Sequence, residues 1–219
     1  MGNLFYCELL KLKRSKILLI SFLGAMVTPV MMIVDGIKVH YTDPGKIITL
    51  EQMYDSCSLY TMLLFGLIVY VVFAAYLFSR EHTEHTLKTI LTIPVSKFSF
   101  IISKYVLLLI WIIVLALISW AGISILSAAY SAFFPIAAKY LGEMLFGGIM
   151  MFLTITPFVF LALWTKGLVV PVIAAAAIVM GNVALYNEAL GALYPWTASC
   201  LLVKGGTAET GYPLSLVTG

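Results

Sequence analysis

The chain has 219 residues, 62% of them hydrophobic and only 11% charged, with a mean hydropathy of +1.06. A water-soluble domain carries charge on about a quarter of its residues; here that coat is missing, so lipid is the solvent for most of the chain. The formal charge of +3 is spread along the chain rather than gathered into a patch, which argues against nucleic-acid binding.

The N-terminal stretch, 3–15, reads as a basic amphipathic helix. Phe5, Leu9 and Leu12 fall on one face of the helical wheel, with Lys11 and Arg14 opposite. This pattern suits a helix lying in the membrane interface, its cations near anionic headgroups; the same cations also serve simply to set topology. The apolar run that follows is too long for a signal-peptide core and lacks a small-residue cleavage site, so it reads as a retained span.

Five runs come near the length of about 20 apolar residues that crosses the hydrocarbon: about 17–34, 59–78, 100–128, 140–164 and 168–186. Helices are the expected form, because backbone facing lipid must satisfy its polar groups internally and no period-2 alternation is present. Lys11, Lys13, Arg14 and Lys16 precede the first run, Arg80, Lys88, Lys97 and Lys104 fall between the second and third, and Lys166 lies between the fourth and fifth. The positive-inside rule then puts the N-terminus in the cytoplasm, 79–99 in a cytoplasmic loop and 187–212 outside. From Tyr212 the chain turns apolar again, as either the opening of a truncated sixth helix or a short tail resting on the membrane. The expected fold is all-α: a single polytopic membrane domain over 1–219, in the cytoplasmic membrane.

Within the long loop, Leu87, Ile90 and Leu91 follow i, i+3, i+4 spacing, and Glu84 precedes Lys88 by one turn. Pro94 stops that helix. A short half-apolar helix beside the membrane needs cover, and the threonines at 83, 86, 89 and 92 suit a protein surface better than lipid.

The run Glu84–His85–Thr86–Leu87–Lys88–Thr89–Ile90–Leu91–Thr92–Ile93–Pro94–Val95–Ser96–Lys97, with Lys104 following, resembles the cytoplasmic loop of permease subunits of type-2 ABC exporters. His85 stands where that family often has glycine. The basic N-terminal helix and the polar segment before a last span are also similar. The loop after the first span and Tyr194–Pro195–Trp196 look most like permeases of lantibiotic immunity or bacitracin resistance. The resemblance implies an ATP-driven exporter moving an amphipathic or hydrophobic substrate, with ATP hydrolysed on a separate cytosolic ATPase. It implies a second permease copy or a paralogue, and no cofactor on this chain. The loop helix would be the coupling helix, with Glu81, Glu84, Thr86, Leu87, Lys88, Ile90, Leu91 and Pro94 as its residues. The N-terminal helix would assist it.

Other features compete for attention. No Walker A pattern occurs: Gly45–Lys46 lacks the leading glycine, because His40 stands there. His82, Glu84 and His85 do not have HExxH spacing, so they read as solvated or partner-facing side chains rather than metal ligands. Cys7, Cys57 and Cys200 show no CxxC spacing and read as plain thiols, with a Cys57–Cys200 disulfide as the alternative. Glu143, one turn into the fourth run, either faces a substrate path or pairs with Lys139 at the outer interface. Pro157, between Thr154 and Thr156, marks a kink. The competing function is a stand-alone secondary transporter or a membrane-embedded substrate-binding subunit. Ion-coupled transporters usually place ionisable groups near the midplane, and Glu143 alone is a candidate.

Overall fold

The computed structural model describes residues 2–42, 49–83, 97–127, 133–186, 191 and 193–204. Among them every regular element is helical: α1 (Gly2–Lys13), α2 (Ile17–Thr42), α3 (Leu50–Tyr60), a π-helical turn (Thr61–Phe65), α4 (Gly66–Thr83), α5 (Lys97–Ser127), α6 (Phe133–Thr154), α7 (Thr156–Thr165), α8 (Val169–Leu185) and α9 (Pro195–Lys204). Four stretches are long and apolar enough to cross a bilayer: Ile17–Val39, Leu50–Thr83, Phe98–Ile125 and Ile136–Thr154. The shorter apolar helices α7 and α8 complete an all-α, multi-pass membrane protein. Leu19, Ile20, Leu23, Phe160 and Ile173 stand exposed on the outside of the bundle, which suits side chains solvated by lipid.

Lipid tails are as apolar as leucine, so the helices are held by close packing and by hydrogen bonds between them. Two examples repair deliberate faults in the helices. Pro29 lies inside α2 and cannot donate to the carbonyl of Ala25. Ser119 of α5 donates to that carbonyl instead, at 2.9 Å. In the second case the π turn widens the helix between α3 and α4. Asn182 of α8 donates to the Leu63 carbonyl within it, at 3.0 Å, and the Thr61 hydroxyl donates to the carbonyl of Cys57 at 2.7 Å while its oxygen meets the Thr28 hydroxyl of α2 at 2.9 Å. Gly66 ends the turn by donating its N–H to the Thr61 carbonyl, and a Cβ there would collide with that oxygen.

The second apolar run proves to be part of a much longer helix. From a capping box at Thr49 and Gln52, α3, the π turn and α4 run without a break from Leu50 to Thr83, about 51 Å at 1.5 Å per residue. Counting apolar residues reports only the hydrocarbon part. The polar first turns of α3 are helical because Leu50, Tyr54 and Cys57 bury one face.

The fourth run is interrupted at Ile155, next to the expected kink at Pro157. Ile155 sits in a turn, α6 packs against α5, and α7 packs against α4 and α8. Pro157 lies in the first turn of α7, where its missing N–H is tolerated. The Thr154 hydroxyl donates to Met151 O at 2.9 Å, so it repairs a carbonyl upstream of the break. Lys166, at φ 53, caps α7 in the left-handed region and turns the chain into α8. Beyond α8, part of the stretch 187–212 forms α9, which packs on α6, α8 and the π turn.

Candidate functional site

Charged side chains inside the apolar bundle gather at the end where α1 lies. Lys104 sits near the start of α5 with its side chain 2% exposed. A buried ammonium needs partners, and α4, the neighbouring helix, brings two. Lys104 Nζ donates to the Leu77 carbonyl at 2.5 Å and to the carboxylate of Glu81, whose side chain is 4% exposed. The rings of Phe100 and Phe78 lie 5.0 and 5.6 Å from the ammonium and present their negative faces to it.

Among the described residues Glu81 Oε1 has no hydrogen-bond partner, and Lys11 Nζ of α1 stands 3.9 Å from it. Lys11 in turn bonds Glu8 Oε1 at 2.7 Å, one helical turn back. The order Lys104, Glu81, Lys11, Glu8 alternates in sign and has no net charge. It crosses from α5 through α4 to α1, and so joins the N-terminal helix to both stems of residues 84–96.

The N-terminal helix therefore differs from the wheel read off its sequence. Leu12 is buried and Phe5 half-buried against the core, as a packed face requires. Glu8, also buried, lies between them on that face, whereas Leu9 is 42% exposed. Lys11 is turned toward Glu81 rather than away with Arg14, which is exposed. The attraction of a buried carboxylate outweighs the simple separation of apolar and basic faces.

Among the expected coupling residues, Glu81 is described and its side chain is buried. Glu84, Thr86, Leu87, Lys88, Ile90, Leu91 and Pro94 lie outside the described residues. A signal for the missed network was present in the sequence. Lys104 falls several residues inside an apolar stretch, and an intramembrane cation demands an acidic partner on an adjacent helix. Glu8, in a helix read as purely basic, had no such signal.

The opposite end of the bundle carries a second, wetter cluster. Lys204 of α9 forms an ion pair with the carboxylate of Asp55 on α3, donates to the Asp55 carbonyl at 3.1 Å and lies 3.7 Å from Glu143 Oε2 on α6. Tyr54 stacks on Tyr140 with ring centroids 5.2 Å apart, and its hydroxyl bonds Ser124 at 2.9 Å. Glu143 thus has Lys204 as its ion partner. Lys139, the partner expected from sequence, lies over the Tyr140 ring at 5.3 Å.

Among the described residues no three His, Cys, Asp or Glu side chains come together as metal ligands. Cys57 and Cys200 are buried free thiols, and burial pushes the Cys200 thiol up to about 12. The arrangement ties α1, α4 and α5 to one another near Thr83 and Lys97, where residues 84–96 connect.

Residues 4–182 match the family model described as ABC-2 family transporter protein. The chain is 37% identical over 166 residues to a protein of Bacillus licheniformis named bacitracin transport permease protein BCRB, an overlap covering 74% of this chain and 79% of the relative. No solved structure matches.

Proposed function

We propose a mechanism from the premise that this chain belongs to the ABC-2 family of transporter proteins and is the membrane-embedded permease subunit of an ABC transporter. A separate cytosolic ATPase docks on the segment around Leu87, Ile90 and Leu91, with Glu84 and Lys88 at the rim of the contact. Two permease subunits, identical or paralogous, alternate between inward- and outward-open states as the ATPases close on ATP. The preference of ATP for the closed ATPase dimer supplies the free energy that biases the two states. The N-terminus and the loop face the cytoplasm. The cargo is an amphipathic or hydrophobic molecule; the relative's name supports a peptide antibiotic such as bacitracin.

The observation that carries this reading is the buried Glu81–Lys104 pair with its link to Lys11. Residues 84–96 emerge from two helices pinned together at that pair, so a push on the segment moves α4 and α5 as one body and takes α1 with it. A surface loop with no such root would absorb the motion itself. An ion-coupled transporter, by contrast, would use an ionisable group free to change partners near the midplane. Glu143 instead meets Lys204 at the end of the bundle remote from α1.

The test is to place single cysteines at Leu87 and Ile90 in a cysteine-free chain and crosslink to an ATPase encoded beside it. Crosslinks that form specifically and change with ATP are expected. Labelling that finds the segment immersed in lipid, with no crosslink, would overturn the proposal.

A further inference from the structure

Two recesses meet at Asp35. One is a cleft of about 430 Å³ between the end of α2 and the start of α3, lined by Met32, Asp35, Lys38, Gln52, Ser56 and Tyr60 among others. The other is a groove of about 420 Å³ along α2, formed by Leu23, Met26, Val27, Val30, Met31 and Val34 and closed by the same Asp35. Their chemistry is opposite. The cleft offers an acid and a base one helical turn apart, while the groove is wholly apolar until Asp35.

Asp35 and Lys38 are both exposed, and among the described residues neither forms an ion pair. At i, i+3 spacing their side chains share a face, about 5–6 Å apart at Cβ. They lie in the last turns of the apolar stretch Ile17–Val39, where the hydrocarbon gives way to headgroups. From Leu23 to Asp35 the groove runs about 18 Å at 1.5 Å per residue, the scale of one extended acyl chain.

We propose that the two recesses form one site for a membrane phospholipid with a primary-amine headgroup, such as phosphatidylethanolamine. The ammonium sits at Asp35, the phosphate at Lys38, and one acyl chain lies along the α2 groove. The charge pair selects the headgroup. A choline has no N–H to donate to Asp35, and an anionic glycerol headgroup satisfies Lys38 while being repelled by Asp35. A charge-assisted hydrogen bond is the strong kind, so the amine headgroup is favoured by about tenfold over choline. The site stands whether or not the lipid is itself moved, and so does not depend on the transport mechanism above.

Native mass spectrometry of the delipidated full-length chain, offered equal amounts of phosphatidylethanolamine, phosphatidylcholine and phosphatidylglycerol, tests the site. The expected result is a retained phosphatidylethanolamine adduct at about ten times the phosphatidylcholine adduct. Asp35→Asn is expected to equalise the two, and Lys38→Gln to weaken all three lipids together. Both side chains are exposed, so both variants should fold, and an unchanged unfolding temperature checks this. Equal retention of all lipids by the wild type, or a preference that survives Asp35→Asn, would overturn the proposal. So would a disulfide between two copies carrying Val30→Cys, formed without loss of the bound lipid, because the groove would then be covered by protein.

Discussion

The two charge clusters use the same side-chain types at opposite ends of one bundle, yet their surroundings differ sharply. Lys104 and Glu81 are 2% and 4% exposed and sit on the third and second long helices, with a further element, α1, closing over them. Lys204 and Asp55 are 9% and 52% exposed, and α9, which supplies the lysine, is a ten-residue helix. Water screens the second pair and leaves it adjustable. The first pair has no such relief, so its helices cannot separate without stranding a charge. One end of the molecule is tied by buried charge, and the other by charge partly in contact with water.

The largest expected effect follows from breaking the buried pair on one side. Lys104→Met leaves the Glu81 carboxylate alone in an apolar site and is expected to destabilise by about 3–5 kcal/mol, read as a lower unfolding temperature in detergent. The paired change Glu81→Leu with Lys104→Met removes both charges and is expected to recover most of that loss, since apolar replacements of buried pairs are often neutral or better. Next in size is Gly66→Ala. The new Cβ meets the Thr61 carbonyl, so the π turn must shift, at about 1–3 kcal/mol. Asn182→Leu takes away the donor to Leu63 and is expected to cost about 1 kcal/mol. The smallest effect belongs to the wetter cluster. Lys204→Gln is expected to change stability by about 1 kcal/mol or less, and the change should shrink as salt rises. A loss as large as that of Lys104→Met would erase the contrast between the two ends.

Composition and run length were enough to read the all-helical, membrane-embedded class, because both follow from the cost of exposing backbone and charge to lipid. They were blind to features that depend on which helices touch. Pro157 is visible in the sequence, but α6 and α7 part at Ile155 because α5 and α4 offer them separate surfaces. The stretch Leu50–Tyr60 is helical through its capping box and its buried Leu50, Tyr54 and Cys57, and hydropathy has no term for either. At the site, the motif named Glu81, and the structure adds that its side chain is buried against Lys104 at the end of α4. Lys104 also counts toward topology under the positive-inside rule. Its depth within α5 was the clue to a partner, and Glu8 came to light only from tertiary contact. The pairing of Lys204 with Asp55 and Glu143 likewise brings together helices distant in sequence.

The most direct test of the central claim asks whether the buried charges transmit motion or merely hold the helices. ATP-driven transport and ATP hydrolysis are measured for the reconstituted complex carrying Glu81→Leu with Lys104→Met, beside the wild type and Lys104→Met alone. The expected result for the double variant is near-normal stability and ATPase binding with transport uncoupled from hydrolysis, because the link through Lys11 to α1 is gone. Recovery of stability and coupled transport together would contradict the account, and would leave the cluster a structural tie with no part in coupling.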